Sequence, residues 1–165
     1  MPKNLSKKLK EQVSLSDKKS LRELEPELRA VIESGRVAEF ETHGFSMIPL
    51  LHDGGDRVRL VKPRGKLAVG DVAFCVTDTG KYVLHRVVEL KDGGYVFKGD
   101  NCIGTEFCKG DSDVIGVACA FIRRGRLIET NSFQYKFYCR FRKPILRLWQ
   151  LFWKIADKLV TLKNK

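Results

Sequence analysis

Between Arg36 and Glu129, the hydrophobic residues fall into short runs with the composition of β-strands, and glycine-rich turns separate these runs. We predict strands over 36–42, 56–61, 71–77, 81–90, 94–98, 114–124 and 126–129. Several short strands at this spacing are typical of antiparallel architectures. The pattern therefore predicts a mainly β (α+β) domain whose antiparallel sheet closes into a barrel or folds over on itself.

A helical pattern precedes the strands, and we predict a helix within 20–34. Its apolar stripe consists of Leu24, Leu28, Val31 and Ile32. Gly35 is suited to the position just after the helix. Two starts are compatible with the sequence, because Ser20 and Glu23 have the spacing of a capping box and Pro26 is suited to a first helical turn.

A second helical pattern follows the strands, and Pro144 predicts where that helix begins. The apolar residues on one face of this helix are Ile145, Leu148, Trp149, Phe152, Ile155, Leu159 and Leu162. Tryptophan, phenylalanine and leucine beside a cationic flank are the composition of a helix that lies in a membrane interface. The alternative interpretation is a helix that packs on its own domain.

The formal net charge of +11 is concentrated at the two ends of the chain. Residues 1–20 carry a net charge of +4 and residues 134–165 carry +8, whereas residues 21–133 carry −1. We therefore divide the chain into a poorly ordered basic tail (1–19), a helix with a β domain (20–133) and a basic amphipathic helix (134–165). Basic ends on a neutral body favour an anionic membrane surface as a partner and argue against nucleic acid.

Several features predict a cytoplasmic protein. The first residues, MPKNLSKKLKEQ, are basic, but no apolar segment follows them as it would in a secretory signal. No window of the sequence reaches the ~20 apolar residues of a membrane-spanning helix. The five cysteines include no CxxC pair, which favours reduced thiols. We expect the protein in the cytoplasm or peripherally on the inner face of the membrane.

A serine in the sequence GFSMIPLL (44–51) is a candidate nucleophile. Ser46 precedes a proline that would stiffen its loop, although a serine before a turn is usually structural. His85, in the predicted strand 81–90, is a candidate general base, because its side chain shares a strand face with apolar residues and burial favours a neutral imidazole. A serine hydroxyl needs such a base to become a good nucleophile.

An acid that orients the imidazole would complete this set. Asp100 and Glu106 lie in and after the turn that follows the predicted strand 94–98. If that strand and 81–90 form a hairpin, the turn comes back toward His85. Asp100 and His85 also have ordinary structural interpretations. An acid in a Gly-Asp-Asn turn usually caps the backbone, and a histidine on a strand is usually a hydrogen-bonded interior residue.

The ordered motifs resemble the superfamily of serine peptidases that contains signal peptidases and self-cleaving repressors. The motifs are Ser-Met-x-Pro at 46–49, Gly-Asp at 55–56 and 70–71, His-Arg-Val at 85–87 and Lys-Gly-Asp-Asn at 98–101. The set is most similar to the branch in which histidine replaces the general-base lysine, as in archaeal and eukaryotic-type signal peptidases, and to its small members in Bacteroidetes-type bacteria. The resemblance covers roughly residues 36–124.

The resemblance implies a serine endopeptidase that forms an acyl-enzyme on Ser46, with His85 as general base and backbone N–H groups at or beside Ser46 as oxyanion donors. The family places a carboxylate near Glu106, where aspartate is usual, and Asp100 is the other candidate for the third member. The residues expected at the substrate are Phe45, Met47 and Pro49. No metal or organic cofactor is expected.

The expected substrate is a peptide or the leader of a precursor protein. Signal peptidases of this superfamily are held to the membrane by a hydrophobic segment that this sequence lacks, so a cytoplasmic or membrane-proximal peptide, or the chain's own N-terminal segment, is the expected target. The alternative function is a catalytically silent membrane-surface or regulatory binding module on the same fold. A self-cleaving DNA-binding regulator is disfavoured, because residues 1–35 are too short for a helix-turn-helix.

Overall fold

The computed structural model describes residues 12–14, 20–142 and 144. The chain forms two compact units, Met1–Thr130 and Asn131–Lys165. The first unit contains the candidate catalytic residues, and the second contains a basic helix.

Nine strands and one α-helix are described in the first unit. The strands are β1 (Gln12–Ser14), β2 (Val37–Glu41), β3 (Arg57–Val61), β4 (Val72–Val76), β5 (Tyr82–Lys91), β6 (Gly94–Lys98), β7 (Glu106–Lys109), β8 (Val114–Arg123) and β9 (Arg126–Glu129). Helix α1 spans Leu21–Glu33, and a single 3₁₀ turn spans Asp111–Asp113. The prediction of a mainly β domain with a preceding helix is therefore confirmed.

All nine strands belong to one sheet, in the order β1-β2-β3-β8-β4-β5-β6-β7, with β9 paired to β8. Every ladder is antiparallel except the one between β1 and β2. The ladders of the described strands do not join the two ends of this path, so the sheet is open. It folds over locally, because the Asp78 N–H, just after β4, donates a hydrogen bond to the Phe107 carbonyl on β7 at 2.8 Å.

A hydrophobic core fills the fold formed by β4 to β8. Its buried members are Leu67, Ala73, Cys75, Val83, Val87, Tyr95, Phe97, Cys108 and Val114. Phe97 is wholly buried there, and the loss of such a side chain typically costs about 3–5 kcal/mol of stability. This packing holds β5 and β7, which carry two of the candidate catalytic residues, in a fixed relation.

Helix α1 begins where the capping box predicts. Ser20 is its N-cap, the Ser20 hydroxyl accepts from the Glu23 N–H, and the Glu23 carboxylate accepts from the Ser20 N–H at 2.8 Å. Pro26 therefore lies inside the helix and does not mark its start. The four residues of the predicted apolar stripe are all buried, and the helix packs on β2 and β8.

Each predicted strand is present with ends within one residue of the expected ones, but two strands were not predicted. β1 lies in the segment that the lysine-rich composition assigned to a poorly ordered tail, so for 12–14 that prediction is wrong. β1 forms because its backbone pairs with the edge of β2, and its own short polar sequence does not predict a strand. β7 has four residues and lies where the sequence predicts a turn and the residues that follow it; its ladder with β6 stabilises it.

In the second unit, residues 133–142 form helix α2. The prediction that a helix begins at Pro144 is therefore wrong, because α2 begins eleven residues earlier, where the Ser132 hydroxyl accepts a hydrogen bond from the Tyr135 N–H at 3.2 Å. A serine in this position is a strong helix start. The apolar face predicted between 145 and 162 lies outside the described residues. Among the described residues, no helix is long and apolar enough to cross a membrane.

The contact between α1 and the sheet gives a first prediction. A Cβ atom at Gly116 on β8 would lie 2.6 Å from the Ile32 Cδ1 atom of α1 and 3.3 Å from the Val61 carbonyl oxygen. We expect Gly116→Ala to lower the free energy of unfolding by about 1–3 kcal/mol, because the buried Ile32 side chain, or the helix that carries it, must shift to make room for the methyl group. Urea denaturation measures this change.

Gly104→Ala is the matched control, because a Cβ atom there meets no atom within 4 Å. Its free energy of unfolding should stay within about 0.5 kcal/mol of the wild type. Equal denaturation midpoints for the two variants would contradict the close packing of α1 on β8.

Candidate active site

Ser46 lies in the loop between β2 and β3, at the start of a series of turns. Gly44 opens this loop with φ +94°, a conformation that favours glycine. Its N–H donates to the Asp53 Oδ1 atom at 2.7 Å, which ties the two ends of the loop together. Met47 and Leu50 are buried below the loop. The local sequence thus combines an apolar anchor with an accessible serine.

His85 lies on β5 and is 6% exposed. Its Nδ1 atom is 2.9 Å from the Glu106 Oε2 atom on β7. A carboxylate accepts a hydrogen bond, so Nδ1 carries the hydrogen in this contact, and in the neutral imidazole Nε2 would then hold the lone pair. Glu106 therefore fixes the tautomer in which Nε2 can act as a base.

Gly99 is the place where the serine loop and the histidine meet. A Cβ atom at this glycine would lie 2.7 Å from the Ser46 carbonyl oxygen, 3.0 Å from the His85 Nε2 atom and 2.6 Å from the Cys102 Sγ atom. A side chain cannot be accommodated between these groups without moving one of them. The missing side chain thus allows the 99–102 turn to lie directly against both the Ser46 carbonyl and the His85 Nε2 atom.

Asn101 holds the serine loop to the same turn. Its backbone N–H donates to the Ser46 carbonyl at 2.8 Å, and its side-chain Nδ2 donates to the Phe45 carbonyl at 3.2 Å. Two consecutive carbonyls of the loop are therefore bound by one residue. Because the serine segment lies more than 50 residues before Asn101, these contacts set a relation that no local pattern encodes.

Asp100 is engaged elsewhere. Its two carboxylate oxygens accept from the Arg86 Nε atom at 2.9 Å and the Arg86 Nη2 atom at 2.7 Å, and both side chains are wholly buried. The Arg86 Nη1 atom also donates to the Gly70 carbonyl at 2.7 Å. Of the two carboxylates predicted near the imidazole, the structure thus brings Glu106 to His85 and pairs Asp100 with Arg86.

A cavity of about 270 Å³ opens beside these groups. It lies between the end of β2 and the start of β5, and helix α1 forms one wall. Its lining consists of Ser20, Leu21, Leu24, Phe40, Glu41, Thr42, His43, Gly44, Ser46, Met47, Leu51, Tyr82, Val83, Leu84 and His85. Ser46 and His85 therefore face one mainly apolar space.

The three residues expected at the substrate are placed differently. Met47 lines the cavity and is buried. Phe45 is 64% exposed and is not among the lining residues, and Pro49 is not among them either. Of the three, the structure therefore brings Met47 to the cavity.

Helix α1 is anchored at the cavity by a hydrogen bond from the Tyr82 hydroxyl to the Glu25 Oε2 atom at 2.6 Å. This bond, together with a hydrogen bond from Arg29, holds the pKa of Glu25 below its ordinary value. The carboxylate is therefore ionised at neutral pH, and the wall of the cavity is fixed on the side that faces β5.

A cysteine, Cys102, also lies beside Gly99. The Cys102 thiol is close to Gly99, and burial, with a smaller contribution from the negative charge of Glu106, raises its pKa. A thiol with a raised pKa is a poor nucleophile at neutral pH, which favours Ser46 in that role. All five cysteines are free thiols, and the described residues contain no group of three or more His, Cys, Asp or Glu side chains that could hold a metal ion.

Sequence reasoning missed the importance of Gly99, Arg86 and Asn101. All three lie inside the His-Arg-Val and Lys-Gly-Asp-Asn motifs, but residue type alone does not indicate the contacts they make. A glycine before an Asp-Asn turn was the available signal, since an internal glycine often marks a close approach of the backbone to another group.

Comparison with known proteins does not assign the chain to a family. No protein-family model, no curated protein and no solved structure matches the chain. The resemblance to signal peptidases stays an expectation from the ordered motifs, and the contacts of Ser46, His85 and Glu106 stand beside it as an independent observation.

The carboxylates of Asp100 and Glu106 lie in different environments, which gives a second prediction. We expect Asp100→Ala to lower the free energy of unfolding by about 3–5 kcal/mol, because it leaves the buried Arg86 guanidinium without its partner. Glu106→Gln should lower it by about 1 kcal/mol or less, because Glu106 is partly exposed and glutamine still offers an oxygen to His85. Urea denaturation of both variants compares them directly, and equal losses would contradict these assignments.

Proposed function

We propose that this protein is a serine endopeptidase in which Ser46 is the nucleophile and His85 is the general base. The observation that carries the proposal is the close approach at Gly99, where the Ser46 carbonyl oxygen and the His85 Nε2 atom, from two different segments, both approach the position that a Cβ atom would occupy. Both residues also line the same cavity. A nucleophile, a base and a space for the substrate are the elements of acyl transfer.

Glu106 is the third member of the proposed triad. It accepts a hydrogen bond from His85 Nδ1 and would stabilise the imidazolium that forms when Nε2 takes the serine proton. Asp100 has a different role, because its two oxygens are committed to Arg86. The Arg86–Asp100 pair would position the 99–102 turn, and with it the serine loop.

In the proposed reaction, the Ser46 Oγ atom attacks the peptide carbonyl carbon while His85 Nε2 accepts the hydroxyl proton. The C–N bond then breaks, and the same proton passes to the leaving amine. In the second half, His85 takes a proton from water as the water oxygen attacks the ester carbonyl carbon; the bond between that carbon and Ser46 Oγ then breaks, His85 returns the proton to Ser46 Oγ, and the new carboxylic acid leaves. The sequence of steps needs no redox partner and no external acid.

The cavity supports a peptide substrate with an apolar side chain near the cleaved bond. Its apolar lining includes Leu24, Phe40, Met47 and Val83, and the volume of about 270 Å³ is large enough for one side chain with part of its backbone. A leader or precursor segment meets this requirement. The folded-over sheet is, in this proposal, a signal-peptidase-like scaffold, and the chain's site of action is the cytoplasm.

The proposal predicts covalent labelling at one serine. A fluorophosphonate probe should react with the wild-type protein, and mass spectrometry of the digest should locate the adduct on Ser46. Ser46→Ala should lose the label. Glu106→Gln should retain it with a rate lowered by about 10²–10⁴-fold, because glutamine no longer stabilises the charged imidazole.

Ser132→Ala serves as the control serine, since Ser132 lies in the second unit and caps α2. It should label at the wild-type rate. Absence of any Ser46 adduct in folded wild-type protein would overturn the peptidase proposal and favour the alternative of a binding module without turnover.

A further inference from the structure

Helix α2 carries three exposed phenylalanines in a row. Phe133, Phe137 and Phe141 are spaced four residues apart, so they lie on one face of the helix. Their side chains are 83%, 53% and 43% exposed. The ring centroids of Phe133 and Phe137 are 6.3 Å apart, and those of Phe137 and Phe141 are 4.5 Å apart. We call these three residues the phenylalanine stripe.

Positive charges border the phenylalanine stripe. Lys136 and Arg140 are exposed and are also four residues apart, which places them along one edge of the stripe. The opposite side of the helix holds Tyr135 and Tyr138, which are less exposed and whose rings pack at 6.3 Å. α2 thus presents an apolar aromatic row with a cationic edge.

We propose that the phenylalanine stripe binds the surface of an anionic membrane. Aromatic side chains are favourable at the boundary between headgroups and acyl chains, and neighbouring lysine or arginine side chains are attracted by the negative surface potential. The charge of the whole segment agrees with this partner, because residues 134–165 carry a net charge of +8. The stripe uses residues that precede Pro144 and is independent of Ser46.

A second copy of the chain fits this surface less well. Three phenylalanines exposed to this degree offer roughly 350 Å² of apolar area, whereas a stable dimer buries roughly 800 Å² on each partner. In an antiparallel pairing of two copies through this face, Lys136 and Arg140 of each copy would also lie close to those of the other, and like charges in contact oppose association.

The test is co-sedimentation of the full chain with phosphatidylcholine vesicles that contain 30–40% phosphatidylglycerol, roughly the anionic content at which basic segments bind. We expect the wild-type protein to bind, to bind at least about tenfold more weakly in 0.5 M salt, and to ignore pure phosphatidylcholine. Phe133→Ser/Phe137→Ser/Phe141→Ser should weaken binding at least about tenfold, since the apolar contact is lost. Lys136→Ser/Arg140→Ser should keep the stripe but lower the salt dependence.

Leu90→Ser/Leu127→Ser is the matched control, because it removes exposed apolar side chains from the first unit. This variant and Ser46→Ala should bind vesicles as the wild type does, which separates membrane binding from the proposed catalysis. Undiminished vesicle binding by the triple phenylalanine variant would overturn the proposal. So would a wild-type dimer, seen by light scattering, that the triple variant converts to a monomer while neither protein binds vesicles.

Discussion

The close approach of the 99–102 turn to the serine loop is the constraint on which the candidate site depends. At Gly99 the Ser46 carbonyl and the His85 Nε2 atom lie within van der Waals distance of a position that has no side chain. Asn101 binds the carbonyls of Phe45 and Ser46 from the same turn. The sheet relates β2 to β5, but these contacts of the turn are the ones described that hold the serine loop beside the imidazole.

The buried Arg86–Asp100 pair explains how the turn keeps this position. Arg86 follows His85 on β5, and Asp100 follows Gly99 in the turn, so one ion pair joins the strand of the proposed base to the turn that meets the serine. Desolvation makes such a pair a weak source of net stability. Its bidentate geometry and its third hydrogen bond, to the Gly70 carbonyl, instead specify one arrangement of three chain segments.

Much of the fold could be predicted from the sequence, because period-two runs and glycine turns are local signals. The parts that were missed depend on partners elsewhere. β1 is held by the edge of β2, and β7 by β6, so their own three or four residues carry little pattern. The predicted start at Pro144 is wrong because both proline and serine are suited to a helix start, and the Ser132 cap is the one that forms.

The candidate site also has a part that the sequence could predict and a part that it could not. Ser46 and His85 could be chosen from residue type and motif order, whereas the choice between Asp100 and Glu106 could not, since both follow the same hairpin. The register of β5 with β6 and of β6 with β7 decides it, by bringing Glu106 to His85. Gly99 carries no chemistry of its own; its place before an Asp-Asn turn indicates a close approach, but the groups that approach it are identified only in the structure.

The most direct measurement is the rate at which a fluorophosphonate labels Ser46 in Gly99→Ala, compared with Gly104→Ala, with each rate corrected for the folded fraction seen by circular dichroism. A methyl group at Gly99 must displace Ser46 or His85, and a misplacement of about 1 Å costs about 100-fold in rate. We predict a loss of that size for Gly99→Ala and a wild-type rate for Gly104→Ala. Equal labelling rates in the two folded variants would contradict the account.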